Sequence, residues 1–277
     1  MNTSSLTHRP AAISLLACLC FAGTVIRSSN VCANDAVSAV NGKIEASYGE
    51  VNDTYSRGIA ASLSIPVAES LGLQFDSLYQ HAAEDDFYGI GGHFFTRMSE
   101  VGLLGLFVGG IKSGSSMDNL AVAVEGELYF DKVTVGTFLG YDHVDKNGLV
   151  STFTPRVNNH DDFPLANVYA AIYPIDDLMV RVDYTNRFNR NFYDLTVEYQ
   201  TPISGLAAFG IVGVGDGDFV QVQGGMRYYF GAKKTLKLRH RQDDPLNPLS
   251  GIFQSTGQAA GQNGTPPTPA APPPRNL

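Results

Sequence analysis

Cysteine is nearly absent from this sequence, and the few that occur lie close to the N-terminus. The 277 residues contain only Cys18, Cys20 and Cys32. If the segment 1–33 is removed, the remaining chain has no thiol, which excludes disulfides, thiolate metal sites and a cysteine nucleophile. Tryptophan is missing altogether. The mature chain must therefore derive its stability from its fold and not from covalent cross-links.

Acidic residues are missing from the first 34 positions, and this segment has the pattern of a secretory signal peptide. Arg9 precedes an apolar stretch over 11–26, and small residues occur at the end of the segment, at Ala33. The stretch is shorter than the roughly 20 residues that a spanning helix needs, which disfavours a membrane anchor. We predict export through a cleaved signal peptide over 1–33, with the cleavage position open by several residues.

Basic charge is scarce in the body of the chain and concentrated in its tail. Residues 34–230 hold 25 acidic and 11 basic side chains, whereas residues 231–277 hold six basic and two acidic ones. Phosphate binding requires clustered Lys and Arg, so the acidic body argues against nucleic acid as a partner. The same charge balance predicts a weak preference for cations in any pore that the body forms.

Amphipathic helical patterns are missing from residue 42 onward, where short alternating runs are separated by Gly, Asp, Asn, Ser and Pro. This texture predicts an all-β domain over 34–230. The predicted strands number twelve, with ten to fourteen possible, and span 42–51, 57–66, 71–81, 87–97, 101–112, 120–131, 133–144, 165–174, 178–188, 193–202, 206–214 and 219–230.

The connections between these strands alternate strictly between two classes. Short turns such as Asp131-Lys132 alternate with more polar and often longer loops. An up-and-down antiparallel sheet with tight turns at one end and looser loops at the other gives this alternation. The longest predicted loop spans 145–164, and within it residues 149–154 could pair with residues 138–144.

Residues 219–230 show the strand period most clearly. Gln221, Gln223 and Arg227 fall on one face. An apolar face can meet a second sheet in a soluble sandwich or lipid in a membrane barrel. Strands of ten to twelve residues, with aromatic residues at their ends, favour the barrel. We therefore predict lipid contact for the other face of this strand, which carries Val220, Val222, Met226, Tyr228 and Phe230.

This strand resembles the closing strand of bacterial outer-membrane β-barrels, because Phe230 is a terminal aromatic preceded by alternating apolar positions. The likeness covers residues 42–230 in texture. It implies an up-and-down antiparallel transmembrane β-barrel, porin-like, in the outer membrane of a Gram-negative cell, with outer-membrane lipid as its partner. In that family the closing strand is read by the assembly machinery and usually ends the protein, whereas this chain continues for 47 residues.

The opposite face of each strand is predicted to line the inside of the barrel. Two interpretations remain open: a narrow polar pore whose charges select the solute, or a structural network in which arginines and carboxylates satisfy one another. The network would pair Arg181, Arg187 and Arg227 with Glu125, Glu127, Asp183 and Glu198. The lumen-lining candidates are Lys43, Glu45, Gln74, Asp76, His93, Arg97, Glu125, Glu127, Asp142, Arg181, Asp183, Arg187, Glu198, Gln221, Gln223 and Arg227.

Two segments depart from the pattern of an apolar outer face and a polar inner face. Residues 102–108 are apolar on both faces, which predicts contact with an apolar internal element or with a second copy of the barrel. The basic segment 231–250 leads into residues 251–277, which are rich in Pro, Gly, Gln and Ala and are predicted to be disordered. This tail is expected in the periplasm, where it either contacts the cell wall or a periplasmic protein or is inert.

Candidate catalytic groups are poor. A lipid-hydrolase pair of Ser47 or Ser77 with His93 is supported by no spacing, so we expect no catalytic residues and no enzyme. His143 and His160 lie among loop carboxylates, which predicts solvated charge in preference to a metal site. We expect no metal and no cofactor.

Three functions remain at this stage. The first is a small porin-like passive channel with weak cation preference. The second is a closed structural or adhesive barrel that displays the 145–164 loop and contacts the periplasm through its tail. The third is a soluble secreted β-sandwich. Neither the solute nor the oligomeric state follows from the sequence.

Overall fold

The computed structural model describes residues 36–243 except 83–84, 99, 114–116 and 147–159, and in addition Pro245 and Pro248. This part of the chain forms twelve strands and one helix, α1 (Leu236–Gln242). The strands are β1 (Asn41–Val51), β2 (Thr54–Ala68), β3 (Leu71–Ala82), β4 (Asp85–Met98), β5 (Gly102–Ser113), β6 (Met117–Phe130), β7 (Val133–Lys146), β8 (His160–Ile175), β9 (Leu178–Arg187), β10 (Arg190–Gln200), β11 (Leu206–Gly215) and β12 (Phe219–Phe230).

The twelve strands close into one antiparallel barrel. Each strand pairs with its neighbours in sequence, and β1 also pairs with β12, from Gly42 opposite Phe230 to Val51 opposite Gln221. Closure leaves no sheet edge, so the backbone groups of the wall find their partners within the sheet. The predicted fold class and strand count are confirmed. The signal peptide over 1–33 and the Pro-rich segment 251–277 lie outside the described residues.

The connections alternate between the two ends of the barrel as predicted, but the predicted difference in length holds only in part, because three loop-end connections have only two residues and one turn-end connection has five. The turn end carries the connections 69–70, 99–101, 131–132, 176–177 and 201–205, together with the start of β1 and the end of β12. The loop end carries the other six connections. Its β1–β2 turn is tighter than the predicted loop over 52–56, because Asn52 and Asp53 alone span it at φ 50° and 59°. Both residues tolerate this left-handed conformation, which suits a two-residue hairpin.

The longest loop differs from the prediction. β7 extends to Lys146 and β8 begins at His160. Residues 145–146 and 160–164 of the predicted loop therefore belong to strands. Residues 138–144 pair with β6 on one side and with β8 on the other. The suggested pairing with residues 149–154 is therefore wrong, because both edges of β7 are already occupied. Residues 149–154 themselves lie outside the described part.

The outer face of the barrel is apolar along every strand. Ile90 of β4 is 75% exposed, and Leu106, Val122 and Val212 of other strands are about half exposed on the same outer face. All five apolar side chains predicted for the outer face of β12 are exposed there: Val220, Val222, Met226, Tyr228 and Phe230. A continuous apolar surface of this extent is typical of a membrane-facing barrel and not of a soluble monomer.

The inside of the barrel has two unlike halves. Strands β3–β7 contribute an apolar cluster that includes Leu78, Phe87, Phe107 and Phe138. Phe107 belongs to the doubly apolar run 102–108, and Leu103 of the same run packs against Ala36 and Val37. The run therefore contacts apolar elements inside the barrel, one of the two predicted alternatives, while Leu104 and Leu106 stay exposed outside.

The basic segment after the barrel has structure that the sequence did not predict. Residues 236–242 form helix α1, in which Leu236, Arg239 and Arg241 are buried. Its contacts lie at the turn end of the barrel, where Lys237 N donates to the Asp176 carbonyl oxygen at 2.9 Å. Buried partners in the barrel stabilise this helix, which is too short to form alone. In the described part of the chain, no helix has the length and apolarity needed to cross a membrane.

Candidate functional site

A buried histidine is held between two carboxylates on the inner wall. His93 on β4 contacts Asp76 Oδ2 through Nε2 at 2.9 Å and both oxygens of Glu125 through Nδ1 at 3.0 Å. Both ring nitrogens face acceptors, so the arrangement fits a doubly protonated, cationic imidazole. Gln74 Nε2 donates to Asp76 Oδ1 at 3.0 Å, and Ser64 Oγ donates to Gln74 Oε1 at 2.8 Å. This is a satisfied polar network on the side of the barrel that otherwise holds the apolar cluster.

This geometry answers the question of a serine–histidine pair. Neither nitrogen of His93 is available to accept a proton from a serine, because each faces a carboxylate. Ser77 lies exposed on the opposite face of β3 from Asp76. The pairing considered from the sequence is therefore not formed.

A second network lies toward the loop end. Arg187 on β9 makes a bidentate ion pair with Asp142 on β7, with Nε–Oδ2 at 2.5 Å and Nη2–Oδ1 at 2.7 Å. Asn119 on β6 accepts from Arg187 Nη2 at 3.0 Å and donates to Asp142 Oδ1 at 3.1 Å. The three side chains are buried and link β6, β7 and β9 across the intervening β8.

A third network lines the wall formed by β1 and β8–β12, which we call the polar half. Arg227 Nε donates to Glu45 Oε2 at 2.5 Å, and its Nη1 contacts Glu198 Oε2. Arg181 Nε donates to Asp183 Oδ2 at 2.8 Å. These side chains keep part of their surface exposed, 16% for Arg227 and 19% for Arg181. Water therefore reaches this half of the interior.

Tyrosine hydroxyls satisfy Glu127, an inner-wall carboxylate near the turn end. Tyr129 Oη donates to Glu127 Oε2 at 2.7 Å, and Tyr169 Oη contacts Glu127 Oε1. Arg97 lies in the same region, where its Nη1 donates to the Ala36 carbonyl oxygen at 3.2 Å.

A cavity of about 70 Å³ lies between these groups and the tail. The barrel wall contributes both charged and apolar side chains to it, among them Lys43, Arg181 and Met179. His240 and Pro245, which follow the barrel in sequence, also line it. The cavity is thus a lumen compartment whose boundary toward the turn end includes the tail.

The predicted lumen residues fall on the inner face, but their partners differ in part from the predicted ones. Arg181 with Asp183 and Arg227 with Glu198 pair as expected. Arg187 instead pairs with Asp142, and Glu125 instead pairs with His93. The cause is height along the barrel axis, which alternation does not reveal: Arg187 sits near the loop end, whereas Glu125 sits beside the middle of β4.

Sequence reasoning missed several inner residues. Asp194 on β10 accepts from Gln221 Nε2 at 2.5 Å, and its position four residues before Glu198 on the same face could have revealed it. Arg239, His240 and Arg241 of the tail also enter the site. No period-two pattern marks them, so only the tertiary structure places them there.

The loop histidines form no described metal site. His143 Nδ1 contacts Asp162 Oδ1 at 2.8 Å on the exposed rim. Across the residues that the structure describes, no group of three or more His, Cys, Asp or Glu side chains could hold a metal ion.

Comparison with known proteins identifies the fold. No protein-family model matches the sequence, and no curated protein matches it. Among solved structures, the chain is similar to the KdgM porin, with 12% identity, a TM-score of 0.52, and coverage of 68% of this chain and 99% of that one. The KdgM porin in complex with disordered oligogalacturonate matches with 11% identity, the same score and the same coverage. The NanC porin matches with 8% identity, a TM-score of 0.51, and coverage of 69% and 99%. The closed twelve-stranded barrel of this chain therefore has the fold of outer-membrane porins.

Proposed function

We propose that the chain is a porin-like passive channel of the outer membrane, with weak preference for small cations, exported through the signal peptide over 1–33. The observation that carries the proposal is the polar half of the lumen, where Glu45, Arg181 and Arg227 remain partly exposed inside a closed wall. A barrel that served only as a scaffold would gain nothing from half-buried ionic groups, which are costly unless water reaches them.

The outer surface supports the membrane location. Exposed apolar side chains cover the wall, and aromatic pairs such as Tyr79–Tyr88 and Tyr184–Tyr193 lie near the loop end. Rings with a polar tip are favoured at membrane–water interfaces. The start of β1 and the end of β12 lie together at the turn end of the barrel. We place this end in the periplasm and the loop end on the outside of the cell.

The charge of the inner wall supports the cation preference. Carboxylates outnumber Lys and Arg among the described side chains that point inward, and a lumen lined by excess negative charge favours cations. The carboxylates are Glu45, Asp76, Glu125, Glu127, Asp142, Asp183, Asp194 and Glu198, and the cations are Lys43, Arg97, Arg181, Arg187, Arg190 and Arg227, with His93 as a further cation. The oligogalacturonate named for the KdgM porin is a polyanion, and this lumen does not favour such a solute.

Conductance in planar bilayers tests the proposal. We expect small, passive, cation-preferring currents from the mature chain or, if its tail restricts the pore, from the chain that ends after residue 230. Membrane insertion is checked independently by a heat-dependent shift in gel mobility. Inserted protein that conducts in neither form would contradict the channel.

A closed structural or adhesive barrel is the second candidate, because the apolar cluster around Phe107 and Phe138 fills one half of the interior. This function predicts no conductance from any variant and loss of adhesion when residues 147–159 are deleted. Contact of the tail with the cell wall or a periplasmic protein stays a prediction under either function.

A further inference from the structure

We propose that the turn end of the lumen is a binding site for a basic peptide and that residues 234–243 of the same chain occupy it as a removable plug. The inference deepens the channel function proposed above and rests on it. The partner of the site is thus a segment of this chain, defined by its buried arginines and one apolar side chain.

Arg241 anchors this plug segment to the barrel wall through several contacts. Its guanidinium lies over the rings of Tyr129 and Tyr173, with 5.2 and 5.6 Å to the ring centroids. The same group donates to the wall at the β6–β7 turn, to the carbonyl oxygens of Phe130 (2.7 Å), Asp131 (3.2 Å) and Val133 (2.9 Å) and to the hydroxyl of Thr134 (3.2 Å). The planar guanidinium carries several N–H donors, so it can bond these carbonyl oxygens at the same time. A lysine could not reproduce these bonds.

The opposite wall holds the other side of the helix. Arg239 Nε donates to Gln200 Oε1 at 2.9 Å, and the guanidinium lies 5.1 Å above the Tyr229 ring. His240 contacts the Tyr173 and Tyr229 hydroxyls at 3.0 and 3.1 Å. Contacts with β6–β7 on one side and β10 and β12 on the other mean that the segment spans the opening.

Apolar burial and ion pairs at the edge complete the fit. Leu236 is fully buried in a cluster with Ala171, Met179 and Ala207 of the wall. At the rim, Lys237 Nζ lies 2.7 Å from Asp176 Oδ1. Asp243 Oδ1 accepts from Lys234 Nζ at 2.6 Å and from Ser38 Oγ at 2.9 Å, so the tail also meets the segment that precedes β1.

The plug closes the compartment that a solute would have to cross. His240 and Pro245 line the 70 Å³ cavity together with Arg181 and Arg227 of the polar half. Without the segment, this cavity would lose its lining on the side of the turn end. The plug therefore stands between the polar half and the periplasmic opening.

The chemistry of the segment makes it removable. A helix of seven residues is marginal in water, so α1 depends on the wall for its stability and folds as it binds. Its arginines contact amide, carbonyl, hydroxyl and aromatic groups of the wall, and Lys237 pairs with Asp176 at the rim. As a covalently tethered ligand it sees an effective concentration on the order of millimolar. The segment stays seated only if its dissociation constant lies below this concentration, so an untethered copy at about millimolar concentration should occupy the site.

The test uses three forms of the mature protein in planar bilayers: the full chain, the chain ending after residue 230, and full-length Arg241→Ala. Full-length Lys233→Ala, which alters an exposed residue directly before the plug segment, is the matched control. We expect the truncated chain and Arg241→Ala to show at least several-fold higher open probability than the full chain, and the control to match the full chain. Arg241→Ala keeps the test valid if truncation prevents folding.

A synthetic peptide of residues 231–243 provides the second readout. It should block the truncated channel from the turn-end side only and bind the truncated barrel in fluorescence anisotropy, and the Arg241→Ala peptide should do neither at the same concentration. Binding without conductance in any form would support the peptide site but overturn the channel function. Equal conductance of the full and truncated chains, with no peptide binding, would overturn the plug and leave the channel function standing.

Discussion

Arg187 and Asp142 face each other across the inside of the barrel in a bidentate ion pair, although their strands β9 and β7 are not neighbours. Both side chains are almost completely buried. Removal of one partner leaves an uncompensated buried charge, which typically costs about 3–5 kcal/mol. Asp142→Ala should therefore lower the free energy of unfolding in urea, measured in detergent micelles, by about that amount.

The double variant Arg187→Met with Asp142→Leu is the control for this prediction. It removes both charges and keeps apolar volume, so its stability should return to within about 1–2 kcal/mol of the wild-type protein. A double variant as unstable as Asp142→Ala would show that the pair acts through packing and not through charge.

His93 is the counter-ion of two carboxylates, Asp76 and Glu125. His93→Gln leaves these carboxylates buried on opposite sides of a neutral amide, so we expect about 3–5 kcal/mol of destabilisation. Adding Glu125→Gln removes one of the two charges and should recover part of the loss. Urea unfolding of both variants checks this. Equal stability of His93→Gln and the wild-type protein would contradict a cationic His93.

The outer face predicts a dependence on depth in the bilayer. Leu106 is 57% exposed near the middle of β5, whereas Tyr228 is exposed near the turn end of β12. Leu106→Arg should cost about 2–4 kcal/mol and Tyr228→Arg about 0–1 kcal/mol, because a charge near the interface reaches water. Unfolding in lipid vesicles measures both. Similar small effects at the two positions would contradict contact between the outer face and lipid.

Asp194 tests the origin of the cation preference. It is half-buried in the polar half, and Asp194→Asn removes its charge while an amide oxygen can still accept from Gln221. A unit charge attracts a cation 6 Å away in water by about 0.7 kcal/mol, which is about threefold in occupancy. The cation-to-anion permeability ratio should fall by up to about that factor. Asp118→Asn, on the outer face beside Lys112, should leave the ratio unchanged.

The fold was predictable because the alternation of apolar and polar residues marks each strand, and the succession of connections indicates an up-and-down sheet. In β12, the alternation from Val220 to Phe230 predicted both the strand and its two faces, and closure with β1 was expected because a barrel in lipid leaves no free sheet edge. The start of β8 was less predictable. His160, Asp161 and Asp162 are polar in succession and Pro164 interrupts the pattern, although these residues continue the pairing with β7.

The sequence predicted which side chains face the interior but not which of them pair with one another. Alternation placed Arg187 and Glu125 inside, yet their pairing depends on height and stagger, which a period of two does not contain. The tail was the main omission. Leu236, Arg239 and Arg241 follow the closing strand in a basic segment without periodicity, and their burial depends on a cavity that exists only once the barrel has closed.

The central claim is that the polar half of this barrel conducts small cations. The most direct measurement is the reversal potential of the chain ending after residue 230, inserted in a planar bilayer under a tenfold KCl gradient. The account predicts channel currents whose reversal potential is displaced toward the K⁺ equilibrium potential. Inserted barrels that carry no current, or a displacement toward the Cl⁻ equilibrium potential, would contradict it.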